Sequence, residues 1–308
     1  MPNYTGSWTR AQQMQAIAAN TWSGLPLFAF TTYTFNNASA TGQNGPTLSA
    51  CQAAYAGQPW LSEYFTVSPQ GFQQWTVPTT GNYTIEVAGA PGGGTTNGQS
   101  ARVTAGRGRD ISQTIALNQG DVLVMVIGQI GARGTYAGGG GGGTFVIRSG
   151  SVLIAAGGGG GDGYYYGSYD QRGQDAQDVL SGNPSTGGAG GTGQGGGGGG
   201  AFGGDGSDAT GGANGGFGGK GYSNSFVGGN AYNSPTNGVG GFGGGGGSGG
   251  GTGANAGGGG GGYAGGRGCD GGSPFTLNSL GGSCYVATGS PTYIGYNTGQ
   301  GFVTITAL

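Results

Sequence analysis

Short runs of hydrophobic residues alternate with polar residues through the central part of the chain and again at its end. The runs are rich in β-branched and aromatic residues, and Gly, Asn and Pro separate them. They are FAFTTYTF (28–35), NYTIEVAG (82–89), ARVTAG (101–106), ISQTIAL (111–117), DVLVMVIGQI (121–130), TFVIR (144–148), SVLIAA (151–156) and GFVTITAL (301–308). This pattern predicts an all-β fold, an antiparallel β-sandwich or jelly roll, over residues 28–161 and 284–308.

The first 27 residues follow a helical pattern instead. Thr9 and Gln12 fit a capping box, and apolar residues then recur near helical spacing, which predicts a short helix over residues 10–20. A helix of this length is marginal alone, so we expect it to dock, either on its own domain or on a partner. The apolar side chains that we expect to make the contact are Trp8, Met14, Ile17 and Trp22.

Between about residues 138 and 266 the composition changes, because most of the 86 glycines lie there in uninterrupted tracts. A flexible linker is one interpretation. The interspersed Tyr and Phe, the tethering of both ends to strands and the similar tract lengths favour another, a bundle of polyglycine-II helices. Tracts occur at 138–143, 157–161, 195–200, 243–247 and 257–262, and the structural glycines include Gly140, Gly159, Gly197, Gly198, Gly245 and Gly259.

Longer interruptions of the tracts, at about 162–186, 222–237 and 267–283, predict loops on a rigid bundle. They are rich in Tyr, Asn, Asp and Ser, which suit recognition surfaces. The candidate receptor-binding residues are Tyr164, Tyr165, Tyr166, Tyr169, Phe226 and Tyr232. The run 164–166 can equally cap the bundle or line a subunit interface. Beside glycine pairs, Phe202, Phe217 and Phe242 are expected to pack on the bundle as lids.

Charge and residue usage exclude several functional classes. The chain has nine Lys+Arg, eleven Asp+Glu, a net charge of −2 and no histidine. Catalysis and metal binding by histidine are therefore absent, and no basic surface for nucleic acid is expected. No phosphate-binding loop motif occurs, and only two glutamates offer an acid–base pair. We predict a protein that is not an enzyme and has no cofactor or metal.

Four aspartates in the first loop, Asp162, Asp170, Asp175 and Asp178, lack the spacing of a known calcium loop, so solvated carboxylates are expected. No apolar run is long enough to span a bilayer, and MPNYTGSW does not look like a secretory signal.

Three cysteines leave the redox state open. Cys269 and Cys284 flank a glycine-rich loop, where a disulfide is geometrically compatible with the sequence but not established by it. Assembly in a reducing cytoplasm favours free thiols.

Four segments resemble the glycine-rich domain of the anaplastic lymphoma kinase and leukocyte tyrosine kinase receptors. They are FNNASATGQNGPTLSACQAAY (35–55), GFQQWTVPTTGNYTIEVAGAPGG (71–93), LNQGDVLVMVIGQIG (117–131) and AGGGGGGTFVIRSGSVLIAAGGGGG (137–161). The resemblance implies a tumour-necrosis-factor-like sandwich with an inserted polyglycine bundle, a module that binds protein ligands in the receptors. The chain departs from them because it has no kinase, and because Ala38 stands where they usually have a cysteine, which removes the expected partner of Cys51.

The N-terminal GSWTRAQQMQAIAANTW (6–22) resembles short segments of tailed-phage fibres and appendages. It implies a virion surface protein, made in the host cytoplasm and attached to other virion proteins through residues 1–27. A tail fibre or tip adhesin that recognises a host glycan or protein is the first hypothesis. A capsid decoration or head-fibre protein is the second, and a secreted ligand-binding module is the third. By analogy with other appendages we expect a homotrimer, without membrane insertion.

Overall fold

A computed structural model describes residues 26–96, 105–165, 170–179, 185–210, 213–233, 236–251, 254–271 and 277–308. The helix predicted over 10–20, with Trp8, Met14, Ile17 and Trp22, lies outside the described residues, as do Tyr166 and Tyr169.

Strands dominate the described part of the chain. They are β1 (Thr32–Phe35), β2 (Phe65–Val67), β3 (Phe72–Thr76), β4 (Gly81–Ala88), β5 (Gly108–Leu117), β6 (Val122–Val126), β7 (Thr144–Arg148), β8 (Ser151–Ala156), β9 (Gly163–Tyr165), β10 (Asp170–Gln171), β11 (Gln177–Val179), β12 (Gly249–Gly251), β13 (Ala254–Ala256), β14 (Ser283–Val286), β15 (Thr292–Asn297) and β16 (Phe302–Ala307). One α-helix, α1 (Leu48–Ala54), was not predicted; Thr47 caps it by accepting a hydrogen bond from the Ala50 N–H.

Two sheets face each other as a β-sandwich, which confirms the predicted fold class. A five-stranded sheet has the order β1-β16-β4-β5-β15, and a seven-stranded sheet has the order β11-β14-β8-β7-β6-β3-β2. Alternating residues of both sheets are buried between them, including Ile85, Ile111, Leu123, Ile154 and Ile305. Near the edges β1 and β2, aromatic rings from the chain around α1 pack together, with Tyr33, Phe35, Tyr55, Trp60 and Phe65 in mutual contact.

The glycine tracts form a bundle of threefold helices, and the tract 257–262 lies at its centre. The Gly258 N–H donates to the Gly138 carbonyl, and three residues later the Gly261 N–H donates to Gly141 (3.1 and 2.9 Å). The bonding partner therefore recurs every third residue, which is the repeat of polyglycine II. None of the glycines in this tract has a positive φ, as the left-handed form requires.

The central tract bonds to a complete ring of neighbours. Its backbone groups donate to, or accept from, residues in six surrounding segments: 138–143, 157–161, 195–200, 243–247, the stretch around Gly266 and Cys269, and Leu280. The central tract carries no side chain to bury. Its stability therefore comes from backbone hydrogen bonding, which offsets the large entropy cost of ordering glycine.

Aromatic residues join the bundle to the outer face of the seven-stranded sheet. Phe226 and Phe242, which adjoin glycine tracts, are fully buried against Phe72 and Phe145. The rings of Phe145 and Phe226 are stacked with their centroids 4.4 Å apart. The burial of Phe242 agrees with its predicted packing role. The prediction of Phe226 as a receptor-binding residue is wrong, because its ring completes this second hydrophobic core.

The strands and glycine tracts define two opposite ends of the described residues. At the base, Leu27 N–H donates to Pro78 and Leu308 N–H donates to Asn82. Strands β7 and β8 adjoin glycine tracts at Gly143 and Gly157, so this end of the sandwich faces the bundle. The tracts run from there to the far end, which we call the distal end and define by residues 134–138, 161–164, 192–196, 247–250, 254–257 and 269–271.

Candidate functional site

A small antiparallel sheet marks the distal end of the bundle. Its order is β10-β9-β13-β12. Strand β9 continues the glycine tract 157–161, and β13 leads back into the tract 257–262. Tyr165, at the end of β9, pairs with Ala254, at the start of β13. The chain therefore changes from threefold helix to β-strand where the tyrosine-rich sequence begins.

Half-buried tyrosines lie at this distal end. Tyr136 and Tyr164 stack with their ring centroids 6.2 Å apart and an angle of 27° between their planes. Tyr232 is also half-buried, and its backbone N–H donates to Ser248 at the end of the tract 243–247. Tyr164 and Tyr232, predicted from the sequence, thus share one end of the molecule. Tyr136 was missed because it precedes the tract 138–143, outside the loops from which the candidates were chosen.

Buried aspartates complete the hydrogen bonding of the glycine helices at the distal end. Asp162 is 4% exposed, and its carboxylate accepts the Gly173 N–H at 2.8 Å. Asp270 is 6% exposed and accepts both the N–H and the hydroxyl of Thr192. Inside the bundle, a carbonyl group of a neighbouring glycine helix accepts such an N–H; here the carboxylate accepts it instead. The expectation of a solvated carboxylate is therefore wrong for Asp162, because the bundle edge needs acceptors where no further helix follows.

The same arrangement recurs along the sides of the bundle. Asp208 accepts the Gly218 N–H and Asp205 accepts the Gly221 N–H, both at 2.8 Å. Burial raises the pKa of Asp205, but hydrogen bonds from Asn224, the Gly221 N–H and Lys220 outweigh it and hold this pKa below its usual value.

Asp175 caps the Arg107 N–H and pairs with the Arg107 guanidinium at 2.6 Å. Burial raises the pKa of the Asp175 carboxyl. The hydrogen bonds and charge of Arg107 outweigh burial and hold this pKa below its usual value. The carboxylate is therefore held in its charged form at the point where the insertion meets strand β5.

A second aromatic and charged cluster, missed from the sequence, lies on the edge strand β15. The guanidinium of Arg109 lies over the rings of Tyr293 and Tyr296 at 4.7 and 4.4 Å, and that of Arg107 lies over Tyr296 at 4.2 Å. Arg109 also pairs with Asp178 at 2.8 Å. Strand β15 was not predicted, because the glycine and threonine beside these tyrosines obscure the alternation of hydrophobic and polar residues.

The cysteines are buried free thiols, so the disulfide that the sequence left open between Cys269 and Cys284 does not form. Cys284 belongs to the core between the two sheets, whereas Cys269 lies in the bundle, where its N–H donates to Gly257. Burial raises the pKa of each thiol to about 12. Phe217, expected as a lid, is instead 48% exposed on the side of the bundle.

Within the described ranges, no three or more His, Cys, Asp or Glu side chains are placed to share a metal ion. Among the helices that the structure describes, none is long and apolar enough to cross a membrane. The arrangement at the distal end can stack on a flat ligand surface and exchange hydrogen bonds with it.

Comparison with known proteins includes a partial match to a receptor. A stretch of 100 residues, 32% of this chain, is 33% identical to the mouse (Mus musculus) leukocyte tyrosine kinase receptor and covers 11% of that protein. The chain therefore contains a domain related to part of this receptor. No protein-family profile matches the sequence.

Proposed function

We propose that this protein is a non-enzymatic surface protein of a phage virion, a tail fibre or tip adhesin that binds the host cell surface through the distal end of its glycine bundle. The observation that carries the proposal is that Leu27, the last residue of the predicted attachment segment, lies at the base, opposite the distal end. The described chain starts at the base, beside Pro78, whereas Tyr136, Tyr164 and Tyr232 lie at the distal end. Residues 1–27 can then hold a particle while the distal end faces away from it.

The bundle suits this role because it is a stiff spacer. Each tract is cross-linked to its neighbours by backbone hydrogen bonds, and the edges are closed by aspartates. A receptor-binding surface loses less entropy on binding when a rigid scaffold already orders it. Half-buried tyrosines add large contact area with few rotatable bonds. The domain relationship and the phage-like N-terminal segment support the same proposal.

Competition for adsorption tests the distal end directly. Soluble protein is added with the phage that encodes it, and adsorption to host cells is counted. We expect the wild-type protein and Val122→Ala to compete equally, because Val122 is 43% exposed on strand β6 at the base. We expect Tyr136→Ala and Tyr164→Ala, each with unchanged thermal unfolding, to compete poorly because the stacked pair is lost.

Immunogold labelling of intact particles locates the protein. Label at the tail supports the adhesin. Label spread over the head, together with no competition by the wild-type protein, supports the alternative of a capsid decoration or head-fibre protein. Full competition by both tyrosine variants contradicts binding through the distal end.

A further inference from the structure

The edge strand β15 carries an unusual exposed surface. Tyr293, Ile294 and Tyr296 are 41%, 51% and 43% exposed. Among the described strands β15 pairs with β5 alone, so it forms an edge of the five-stranded sheet. Large apolar side chains on an open sheet edge are a site for association with another chain. We call these three residues, with Arg107 and Asp178 beside them, the β15 strip.

A β-bulge shapes the strip. The pairing of β15 with β5 shifts by one residue between Tyr293 and Gly295, so Ile294 has no partner on β5. The extra residue brings Tyr293 and Tyr296 to the same side of the strand, where both rings lie against Arg109. A bulge also interrupts the ladder that a long extended peptide needs, which disfavours that class of partner.

We infer that the β15 strip binds the β15 strip of a second copy of this protein, about a twofold axis near Ile294. The charges of the strip are self-complementary. The Arg107 side chain is 47% exposed and lies at the end of the strip nearer the bundle. The Asp178 side chain is 55% exposed and lies at the end nearer the base. Its neighbour Val179 donates its N–H to the Tyr293 hydroxyl at that end. A twofold rotation that sets the two strands antiparallel places each Arg107 end opposite the Asp178 end of the other copy.

The electrostatics of the strip agree with such a contact. Both arginines are already paired within the chain, Arg107 with Asp175 and Arg109 with Asp178, so the strip has no net charge. Bringing two strips together therefore buries apolar and aromatic surface without isolating a charge. The contact area of one strand is small, which predicts a reversible, concentration-dependent dimer in place of the trimer expected by analogy.

Two variants of the full chain test the contact. Sedimentation velocity over a range of concentrations should show a dimer for the wild-type protein. Ile294→Glu should raise the dimer dissociation constant about tenfold or more, because it places a charge in the apolar contact. The matched control is Val122→Glu, because Val122 is 43% exposed on a strand at the base. It should dimerise as the wild type does.

Disulfide trapping tests the geometry. Ile294→Cys should form a covalent dimer on mild oxidation, whereas Val122→Cys should not, and the buried native thiols do not compete. A wild-type protein that stays monomeric at every concentration and is not trapped through position 294 overturns the inference. So does a dimer that Ile294→Glu leaves intact. Either outcome is independent of whether the distal end binds a host.

Discussion

Substitution of Gly197 by alanine tests whether the bundle depends on the absence of side chains. The Gly197 N–H donates to Gly247 at 2.8 Å, and its carbonyl accepts the Gly259 N–H at 2.9 Å. A Cβ added at Gly197 would lie 2.1 Å from the carbonyl oxygen of Phe217. That neighbour is backbone, so it cannot rotate away as a flexible side chain can.

The cost follows from the movement that alanine requires. The segment at Phe217 must retreat by about 1.3 Å to reach the 3.4 Å at which ordinary contact begins. This movement breaks the bonds from Gly247 N–H to Phe217 and from Phe217 N–H to Asn230, both 2.9 Å. The buried bond from Gly247 is worth ~1–3 kcal/mol and the exposed bond to Asn230 ~0.5–1.5 kcal/mol. After subtraction of the ~0.4–1 kcal/mol that alanine gains in the unfolded chain, the loss is ~1–4 kcal/mol.

The assay is thermal and urea unfolding of Gly197→Ala beside Gly204→Ala. Gly204 lies in the same insertion, has an ordinary φ and has no atom within 4 Å of an added Cβ. A loss of ~1–4 kcal/mol predicts a melting temperature lower by roughly 2–15 °C for Gly197→Ala. Gly204→Ala should stay within about 0.5 kcal/mol of the wild type. Equal unfolding curves for the two variants would refute the close-packed bundle.

Three further predictions concern ionisation. Burial first, and then the charge of Glu86, raises the pKa of Asp110 to about 6, so the folded state holds the proton more tightly and loses stability as pH rises from about 4 through 6. Asp110→Asn should therefore raise the urea midpoint at pH 7.5 and change it little at pH 4; a loss of stability at pH 7.5 contradicts this. Asp175 has the opposite sign, because its pKa is lowered when Arg107 pairs with it. Asp175→Asn should lower the urea midpoint at neutral pH, and the difference should shrink as pH falls through the folded pKa; a constant difference shows that charge is not the cause. The three cysteine thiols, all buried with pKa values raised to about 12, should react with a thiol reagent only after denaturation, and rapid reaction of the native protein would show that one is accessible.

The sequence predicted the strands whose side chains alternate. Strands β1, β6, β7, β8 and β16 fall within segments chosen for that pattern, and β4 and β5 overlap such segments. Strand β3 (FQQWT) was not predicted, because two glutamines obscure the alternation. Its Gln73 is fully buried, and there it bonds to the Tyr55 hydroxyl and to the Asn36 carbonyl. Such a partner lies far away in the chain and cannot be recognised locally.

The candidate site was predicted in part. Tyr164 and Tyr232 lie at the distal end, as a recognition surface requires. Phe226 was misplaced, because an aromatic residue in a polar loop looks the same in the sequence whether it covers a sheet or faces solvent. Its burial depends on the outer face of the seven-stranded sheet, to which Phe145 contributes. Asp162 was misjudged for a related reason, since its partner is the backbone N–H of Gly173, which only the fold of the loop brings to it.

By itself the sequence determined the kinds of structure present. Alternating β-branched residues favour strands, and long glycine tracts between tethered ends can gain stability only by bonding sideways to one another. The tertiary structure alone decided which tract lies beside which. Glycine tracts carry no side chains and so hold no code for a particular neighbour. Their order is set by the sandwich strands that some tracts extend, by the aspartates that close the edges and by the aromatic residues that attach the bundle to the sheet.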